Sequence, residues 1–188
     1  EILARVDELG DILAREEGKT LAEAKAEAHR AGHLFKYFAA EAYRATGDTY
    51  QSLREGVSLK VLREPIGVVG VITPWNFPLA IPAWKIAPAL AYGNTVVFKP
   101  AELVPGSAWM LSDIIARAGL PEGVFNLVMG KGREVGEAIV THPKVSGVTF
   151  TGSTPVGRNM GAALFARGAK MQLEMGGKNP LVVLEDAD

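Results

Sequence analysis

The sequence predicts an α/β protein with a doubly wound, Rossmann-like parallel sheet that is preceded by N-terminal helices. Two observations predict this fold. After residue 65, short apolar runs of strand length alternate with helical patterns, as is typical of strands that helices cover on both faces. Before that point, apolar residues recur at helical spacing. Right-handed crossovers between the parallel strands then give the doubly wound arrangement.

The composition is that of a globular protein. Of the 188 residues, 48% are hydrophobic and 22% are charged, which excludes intrinsic disorder. Twenty Lys and Arg residues against 21 Asp and Glu give a net charge of -1, so nucleic acid and acidic membrane surfaces are not expected as partners. The absence of cysteine excludes disulfides, thiolate metal sites and a thiol nucleophile within these residues.

Local patterns argue against a membrane span and a metal site. Residues 65–84 carry no charge, but four prolines among them would break a membrane-spanning helix. His29 and His33 stand four residues apart, as metal ligands on a helix do, but no third ligand accompanies them. Because no signal peptide is visible either, we expect a cytoplasmic protein without a bound metal.

The first 47 residues predict two helices. Apolar residues at positions 2, 6, 9 and 13 form one stripe, and Gly18 ends that helix. Thr20 and Glu23 form a capping box for the second helix, which is expected to run to Gly47. Its apolar stripe is rich in alanine, which predicts close packing against a flat surface such as a sheet.

Strands and helices follow in order. Residues 57–63 alternate between apolar and polar, which predicts a half-exposed strand outside the main sheet. Sheet strands are predicted at 68–73, 95–99, 125–129, 147–151 and 170–174, with a further short one at 181–184. Helices are predicted at 82–92, 107–118, 134–141 and 155–166. Because ligands of such sheets bind beyond the carboxyl ends of the strands, the candidate functional residues are those that end each strand.

Two strand ends carry side chains suited to catalysis. Asn76 lies between two prolines that fix its backbone, and a preorganised amide N–H can stabilise a developing oxyanion. The alternative is that this amide only satisfies backbone groups in a tight turn. Glu174 precedes two glycines that leave it room to change rotamer, which makes it a candidate general base. Its alternative is an ion pair with Lys178.

Two of the other three strand ends suit dinucleotide binding. Glu102 can accept hydrogen bonds from ribose hydroxyls and would repel a 2′-phosphate, which favours NAD over NADP. Lys99 can donate to the ribose or accommodate a phosphate, and a surface ion pair is the alternative for both residues. Ser153 or Thr154 can cap a helix whose N-terminus either holds a pyrophosphate or is an ordinary cap. Residues 130–136 give G-x-G-x-x-x-G, one residue longer than the dinucleotide fingerprint, so alone they predict only a turn.

In this order, the motifs closely resemble those of the NAD(P)-dependent aldehyde dehydrogenase superfamily. The resemblance covers essentially the whole chain and rests on four strings, at 73–78 (TPWNFP), 99–102 (KPAE), 150–153 (FTGS) and 173–178 (LEMGGK). Residues 81–91 further resemble the branch that oxidises 2-oxoglutarate semialdehyde (2,5-dioxopentanoate). The resemblance implies NAD, with NADP as a second possibility, a small aldehyde or semialdehyde as substrate, and a homodimer or homotetramer. It makes the strand at 57–63 part of an oligomerisation hairpin.

The resemblance also implies roles for individual residues. Asn76 matches the oxyanion-stabilising asparagine, and Glu174 matches the general base that activates water for deacylation. Lys99 and Glu102 match contacts to the adenosine ribose, and Ser153 matches a pyrophosphate contact. The implied cofactor-contacting positions are Thr73, Pro74, Trp75, Lys99, Ala101, Glu102, Gly132, Gly136, Phe150, Thr151, Gly152, Ser153, Val156, Glu174, Met175 and Gly176.

The implied mechanism is covalent. A cysteine thiolate attacks the aldehyde, the Asn76 amide and a backbone N–H hold the oxyanion, a hydride passes to the nicotinamide, and Glu174 activates the water that releases the acid. Since the chain contains no cysteine, we expect it to be a piece of a longer enzyme and to be inactive alone. Detectable aldehyde oxidation by the 188-residue chain would contradict that expectation.

These expectations divide the chain into four segments and leave two alternative functions. The segments are N-terminal helices at 1–52, an oligomerisation strand or hairpin at 53–66, the NAD(P)-binding domain at 67–174 and the start of a catalytic domain at 175–188. A reductase of acyl phosphates or acyl-CoA shares the implied scaffold, but a general base that hydrolyses a thioester is out of place in it. A non-catalytic nucleotide-binding domain is the alternative that the missing cysteine favours.

Overall fold

The computed structural model describes residues 1–44 and 46–187, so Ala45 and Asp188 (the last residue of the predicted catalytic-domain segment) lie outside it. The helices are α1 (Val6–Glu17), α2 (Leu21–Glu41), α3 (Ala80–Ala91), α4 (Pro105–Ala116), α5 (Glu137–Thr141) and α6 (Thr154–Ala166). The strands are β1 (Asp48–Gln51), β2 (Ser58–Val61), β3 (Val68–Ile72), β4 (Thr95–Lys99), β5 (Phe125–Leu127), β6 (Val145–Gly152) and β7 (Lys170–Met175). Within the described ranges, no helix combines the length and the apolarity needed to cross a membrane.

Five strands form one parallel sheet in the order β5-β4-β3-β6-β7. The chain builds outward from β3 through β4 and β5, and then crosses back to add β6 and β7 on the other side of β3. The strand order therefore reverses between β3 and β6, which is the point where ligands bind in open α/β sheets. This topology confirms the predicted doubly wound α/β fold.

Alternate residues of the strands face two separate cores, because successive side chains of a strand point to opposite faces of the sheet. On one face, Val71 and Phe98 pack with α1, α2, α3 and α4. On the other face, Ile72, Val148 and Phe150 pack with α5 and α6. Helices therefore cover the sheet on both faces, as predicted.

Helix α2 packs mainly against helices α1 and α3, so the prediction that its alanine stripe lies against a sheet is wrong. Ala24, Ala28 and Ala31 are fully buried, and their small side chains let the helices approach closely. The sheet face is already covered by α3 and α4, which leaves α1 and α2 to form a further layer. The predicted capping box of Thr20 with Glu23 is present.

Strands β1 and β2 form an antiparallel hairpin outside the main sheet, with Asp48 opposite Val61 and Gln51 opposite Ser58. All eight residues of the hairpin strands are exposed, so neither face of β2 is buried, whereas its alternation predicts a strand with one buried face. β1 also lies within residues 1–52, which were assigned to helices, so the boundary at 52/53 wrongly divides the hairpin. The four residues of β1 do not show an apolar alternation, so its pairing with β2 is what identifies it as a strand.

Residues 181–184 do not form the predicted strand. Their side chains are 66% exposed or more, and they pair with no strand among the described residues. An apolar run becomes a strand only where a neighbouring strand supplies partners for its backbone N–H and C=O groups. Sequence alone does not show whether such a neighbour is present.

Candidate active site

The parallel strands bring the predicted motifs to one edge of the sheet. Ile72 at the end of β3 lies opposite Lys99 of β4 and opposite Phe150 of β6. Thr151 of β6 lies opposite Glu174 of β7. One strand separates β3 from β7, which places their ends about 10 Å apart. The loop of Asn76 and the carboxylate of Glu174 therefore start from the same edge of the sheet.

Asn76 lies in the loop between β3 and α3 and is exposed, whereas Thr73 and Pro78 on either side of it are buried. Its backbone carbonyl accepts a hydrogen bond of 3.1 Å from the ammonium of Lys19. Its side-chain amide makes no hydrogen bond to any described residue, contrary to the alternative that it satisfies the turn. With half-exposed Trp75, it lines a cleft of about 520 Å³. The amide N–H groups are thus free to donate to a ligand.

Glu174 lies on the outermost strand, β7, and is exposed. Its Oε1 accepts a hydrogen bond of 3.2 Å from the side-chain amide of Gln172. It forms no ion pair with Lys178, the alternative that the sequence left open, although both residues are described. A carboxylate with one free oxygen at a strand end can accept a proton from a bound water molecule.

Lys85 of α3 is a member of the site that the sequence reasoning missed. Its ammonium donates to Thr149 Oγ1 at 2.8 Å and to Gln172 Oε1 at 3.0 Å, and Gln172 in turn donates to Glu174. These residues line a cleft of about 580 Å³ on the α3 face of β6 and β7. Burial lowers the pKa of Lys85 to about 8, against the opposing attraction of Glu174. The cleft therefore places a lysine whose pKa is lowered to about 8 near the candidate general base.

The sequence carries two signals for this cluster. Lys85 directly follows the 20 uncharged residues 65–84, so it is an isolated charge in an apolar helix. The polar positions 149 and 151 on β6, and 172 and 174 on β7, alternate as side chains on one face of a strand do. Neither signal reveals that the helix lies over these two strands, which only the tertiary fold determines.

Replacement of Lys85 by Met is expected to change how stability depends on pH. Folding lowers the pKa of Lys85 from 10.5 to about 8, so between these pH values the unfolded chain binds more protons and the native protein gains stability as the pH rises. The Lys85→Met variant lacks this gain, which amounts to about 3 kcal/mol at most. Urea unfolding at pH 7, 8.5 and 10 measures it.

The free energy of unfolding of Lys85→Met minus that of the wild type should therefore fall as the pH rises. Lys170→Met, at the exposed start of β7, controls for removal of a lysine from the surface. A difference between Lys85→Met and the wild type that stays constant across the range would contradict the prediction.

The loops after β4 and β5 are joined by one hydrogen bond. The backbone N–H of Gly132 donates to Glu102 Oε1 at 2.7 Å, and both residues are exposed. Lys99 is buried, and its ammonium donates to the carbonyl of Pro100 at 2.8 Å, so it forms no ion pair with Glu102. Burial lowers the pKa of Lys99, and Glu102 opposes this effect. Glu102 keeps one carboxylate oxygen free for a ligand.

Helix α6 begins at the end of β6 with an open N-terminus. Ser153 occupies the N-cap position and Pro155 the first turn, as predicted, but the serine side chain makes no capping hydrogen bond. Of the two candidates, Ser153 or Thr154, the structure therefore places Ser153 at the N-cap, without a capping hydrogen bond from its side chain. Ser153 is exposed at the start of this 13-residue helix, Pro155 has no N–H, and the N–H of Gly157 donates to the Ser153 carbonyl. The N–H groups of Thr154 and Val156 therefore remain for an anion. Val156 of the same turn is also exposed.

Phe150 is buried beneath this turn, so its side chain supports the site and does not face a ligand. A Cβ atom on Gly152 would lie 2.5 Å from the Phe150 ring, and one on Gly157 would lie 2.6 Å from Met175 Sδ. Gly157 therefore allows α6 to approach β6 and β7 closely, and Gly152 leaves room for the Phe150 ring. The same need for close helix–strand contact explains glycine in dinucleotide-binding turns.

The remaining predicted cofactor-contact positions differ in how far they are buried. The hydroxyls of Thr73 and Thr151 are buried and have no hydrogen-bond partner among residues 1–44 and 46–187. Gly136 is buried inside the π-helical turn Gly132–Gly136, so residues 130–136 form a strand-to-helix turn, as the sequence predicts. The other predicted contacts lie exposed or half-buried at the edge, namely Pro74, Ala101, Met175 and Gly176.

Comparison with known sequences identifies the family to which a chain with this fold and these strand-end loops belongs. The sequence model of the aldehyde dehydrogenase family matches residues 1–188, and the chain belongs to this family. It is 52% identical over 184 residues to alpha-ketoglutaric semialdehyde dehydrogenase of Bacillus subtilis, covering 98% of this chain and 38% of that protein. It is 46% identical to 2,5-dioxopentanoate dehydrogenase of Saccharolobus solfataricus, covering 94% of this chain and 37% of that protein.

A solved structure agrees with the fold. A variant of betaine aldehyde dehydrogenase from Staphylococcus aureus in complex with NAD+ superposes with a TM-score of 0.93 at 37% identity, covering all of this chain and 38% of that one. The chain thus spans well under half the length of these curated relatives.

Proposed function

We propose that the protein containing this chain oxidises a small semialdehyde to a carboxylic acid with NAD as the hydride acceptor. The observation that carries the proposal is that Asn76, Glu102, Ser153 and Glu174 all follow from, or end, parallel strands at one edge of the sheet. Asn76 lines the cleft of about 520 Å³ and Glu174 the cleft of about 580 Å³, and we propose that one ligand extended along this edge contacts both. The relatives named for semialdehydes support the substrate class.

The residues at this edge fit a dinucleotide. The open N-terminus of α6, with the free hydroxyl of Ser153, suits a pyrophosphate. The free oxygen of Glu102 suits ribose hydroxyls, and Lys99 lies at the same strand end. The unpartnered hydroxyls of Thr73 and Thr151 are further polar groups that a bound ligand can satisfy. When bound, NAD accepts the hydride that leaves the aldehyde carbon.

Two side chains of this chain act on the reacting atoms in the proposed mechanism. The Asn76 amide, which has no partner in the described structure, donates to the oxyanion that forms when a nucleophile attacks the aldehyde. Glu174 takes a proton from the water molecule that then releases the acid. The 188 residues contain no cysteine, so we propose that a thiolate nucleophile comes from outside them.

The substrate proposal has a sequence basis within this chain as well. Residues 81–91, which form most of α3, resemble the branch of the family that oxidises 2-oxoglutarate semialdehyde. The relatives with 52% and 46% identity carry names for that same semialdehyde. We therefore propose 2-oxoglutarate semialdehyde as the first substrate to test.

A second candidate function has one observation in its favour. The chain has no thiol of its own, so taken alone it fits a non-catalytic nucleotide-binding domain. The acyl-phosphate or acyl-CoA reductase has less support, because Glu174 is exposed at the site with a free oxygen, as a base that activates water must be.

The prediction of a cytoplasmic location stays a prediction.

The hairpin of β1 and β2 supports an oligomer. Its two strands expose Tyr50, Leu59 and Val61, and the turn between them exposes Leu53 fully. Exposed strand edges and apolar side chains of this kind pair with another chain in stable assemblies. We propose that this hairpin contributes to a homodimer or homotetramer.

The proposed activity is tested by following reduction of NAD with 2-oxoglutarate semialdehyde, using the protein as its gene encodes it. We expect acid formation in step with NAD reduction. The 188-residue chain, assayed alongside, should give none, because it supplies no thiol. Oxidation by the 188-residue chain would contradict the proposed origin of the nucleophile, and a gene product without activity on any aldehyde would favour the non-catalytic domain.

The cofactor preference gives a separate prediction. Titration of the 188-residue chain should show weak binding, with NAD bound about ten times more tightly than NADP, because the Glu102 carboxylate repels a 2′-phosphate. Glu102→Gln keeps an acceptor for the Gly132 N–H but removes the charge, so it should reduce the difference between the two cofactors. Tighter binding of NADP to the wild type would refute this prediction.

A further inference from the structure

An ion cluster from the N-terminal helices lies under the loop that carries Asn76. The ammonium of Lys19, in the turn between α1 and α2, lies 2.6 Å from Glu27 Oε2 and 3.0 Å from Glu17 Oε2. The three side chains are only 12%, 2% and 8% exposed, respectively. Removing such charges from water is costly, and a hydrophobic replacement is often as stable, so stability alone does not explain the cluster.

Lys19 and Glu27 hold the loop on both sides of Pro78. The Lys19 ammonium donates to the Asn76 carbonyl at 3.1 Å and lies 4.1 Å from the centre of the Phe77 ring. Glu27 Oε1 accepts hydrogen bonds from the backbone N–H groups of Leu79 at 2.9 Å and Ala80 at 3.0 Å. The same carboxylate therefore caps α3 and binds the lysine that holds Asn76.

This arrangement bears on catalysis because Lys19 and Glu27 bind the backbone on which the position of the Asn76 amide depends. The side chain has no hydrogen-bond partner in the described structure, so its position depends on its backbone. A donor acts on a developing oxyanion only when it is held close to the required geometry before the reaction. Burial would lower the pKa of Lys19, but hydrogen bonds and charge from Glu27 and Glu17 outweigh it and raise the pKa, so the ammonium keeps its charge.

We propose that Lys19 and Glu27 are positioning residues that hold the Asn76 amide in place for the oxyanion. The inference rests on the proposed function of Asn76 as the oxyanion donor. It adds a role for the N-terminal helices, which carry none of the reacting groups. Neither side chain needs to touch the substrate.

A double-mutant cycle tests the proposal in the protein as its gene encodes it, with 2-oxoglutarate semialdehyde and NAD as probes. Lys19→Met should lower kcat about 10-fold to 100-fold, because small displacements of a reacting group have effects of this size. The KM for NAD should change little. In the Asn76→Ala background, Lys19→Met should lower kcat by less than about 3-fold, because the group that it positions is already absent.

Lys25→Met is the matched control, because Lys25 also forms an ion pair between α1 and α2, with Asp7, but does not contact the loop. It should leave kcat unchanged. If Lys19→Met does not fold, the pair Lys19→Met with Glu27→Gln replaces it in the cycle, since the glutamine oxygen still accepts from Leu79 and Ala80. The change in kcat for this pair should likewise nearly vanish in the Asn76→Ala background.

The outcomes separate this inference from the proposed function. Suppose that Asn76→Ala lowers kcat. If Lys19→Met then lowers kcat by the same factor with and without Asn76, or has no effect on kcat, the positioning role of Lys19 is refuted while the role of Asn76 stands. If Asn76→Ala leaves kcat unchanged, the proposed role of Asn76 fails, and the positioning role fails with it. A large loss in each single variant with little further loss in the double variant supports both.

Discussion

Asn76→Ala is expected to lower kcat for aldehyde oxidation by a factor of about 10² to 10³, which is the usual effect of removing one oxyanion donor. The amide lies at the carboxyl edge of the sheet, is exposed, and donates to no other described residue, so its loss leaves no structural hydrogen bond broken. The KM for the aldehyde should change much less than kcat, because the oxyanion forms only as the reaction proceeds. Steady-state kinetics of the gene product measures both constants.

Asn76→Asp tests the role of the amide N–H more directly than Asn76→Ala does. It keeps the size and shape of the side chain but replaces the N–H donor by a negative charge that repels an oxyanion. Its kcat should therefore be lower than that of Asn76→Ala, although more of the native side chain is kept. If Asn76→Asp were more active than Asn76→Ala, the amide would act through packing and not through its N–H groups. Comparable unfolding midpoints of the two variants would show that the difference is chemical.

The sequence predicts the sheet well because its signals are local. The strands β3 and β4 are short apolar runs that are mostly buried, and the glycines at 18 and 93 mark helix ends that the structure confirms or places within two residues. The parallel order follows from alternation of strands and helices with right-handed crossovers. Once the sheet is parallel, the positions of Asn76, Glu102 and Glu174 at one edge follow without further information.

The sequence fails where a residue's role depends on a distant partner. β1 has a polar sequence and exists only by pairing with β2, whereas the apolar residues 181–184 lack a partner and form no strand. Lys85 is an isolated charge in an apolar helix, whereas Glu27 lies among other charged residues of α2 and carries no such signal. Their partners lie 64 and 52 residues away along the chain, and no local pattern identifies them.

The observed packing of α2 and α3 has a consequence for both candidate catalytic side chains. Helix α2 lies against α3 instead of the sheet, and this brings Glu27 to the start of α3. Helix α3 in turn carries Lys85 over β6 and β7, next to Glu174. The two candidate catalytic side chains are therefore both connected through α3 to charged residues that are buried in this chain. Displacement of α3 would affect both of them together.

Glu174→Gln should separate the two halves of the proposed reaction. The glutamine oxygen still accepts from Gln172, so the hydrogen bonds of the cleft are kept, but the side chain can no longer take a proton from water. Hydride transfer does not need this base. A first turnover of cofactor reduction should therefore persist as a burst, and the steady-state rate should fall by a factor of about 10² to 10⁴. Rapid mixing with absorbance detection of the reduced cofactor resolves the two phases.

Glu174→Gln also distinguishes the dehydrogenase from the two alternative functions, because each function predicts a different time course of cofactor reduction. A reductase of acyl phosphates or acyl-CoA does not hydrolyse its thioester with water, so its steady-state rate should not depend on Glu174. A non-catalytic nucleotide-binding domain gives neither phase in the wild type. Glu122→Gln, exposed in the loop before β5 and far from the carboxyl edge, controls for loss of a surface carboxylate and should leave both phases intact. Loss of the burst together with the steady state would mean that Glu174 acts before or during hydride transfer, and the assignment of Glu174 as the deacylation base would then be wrong.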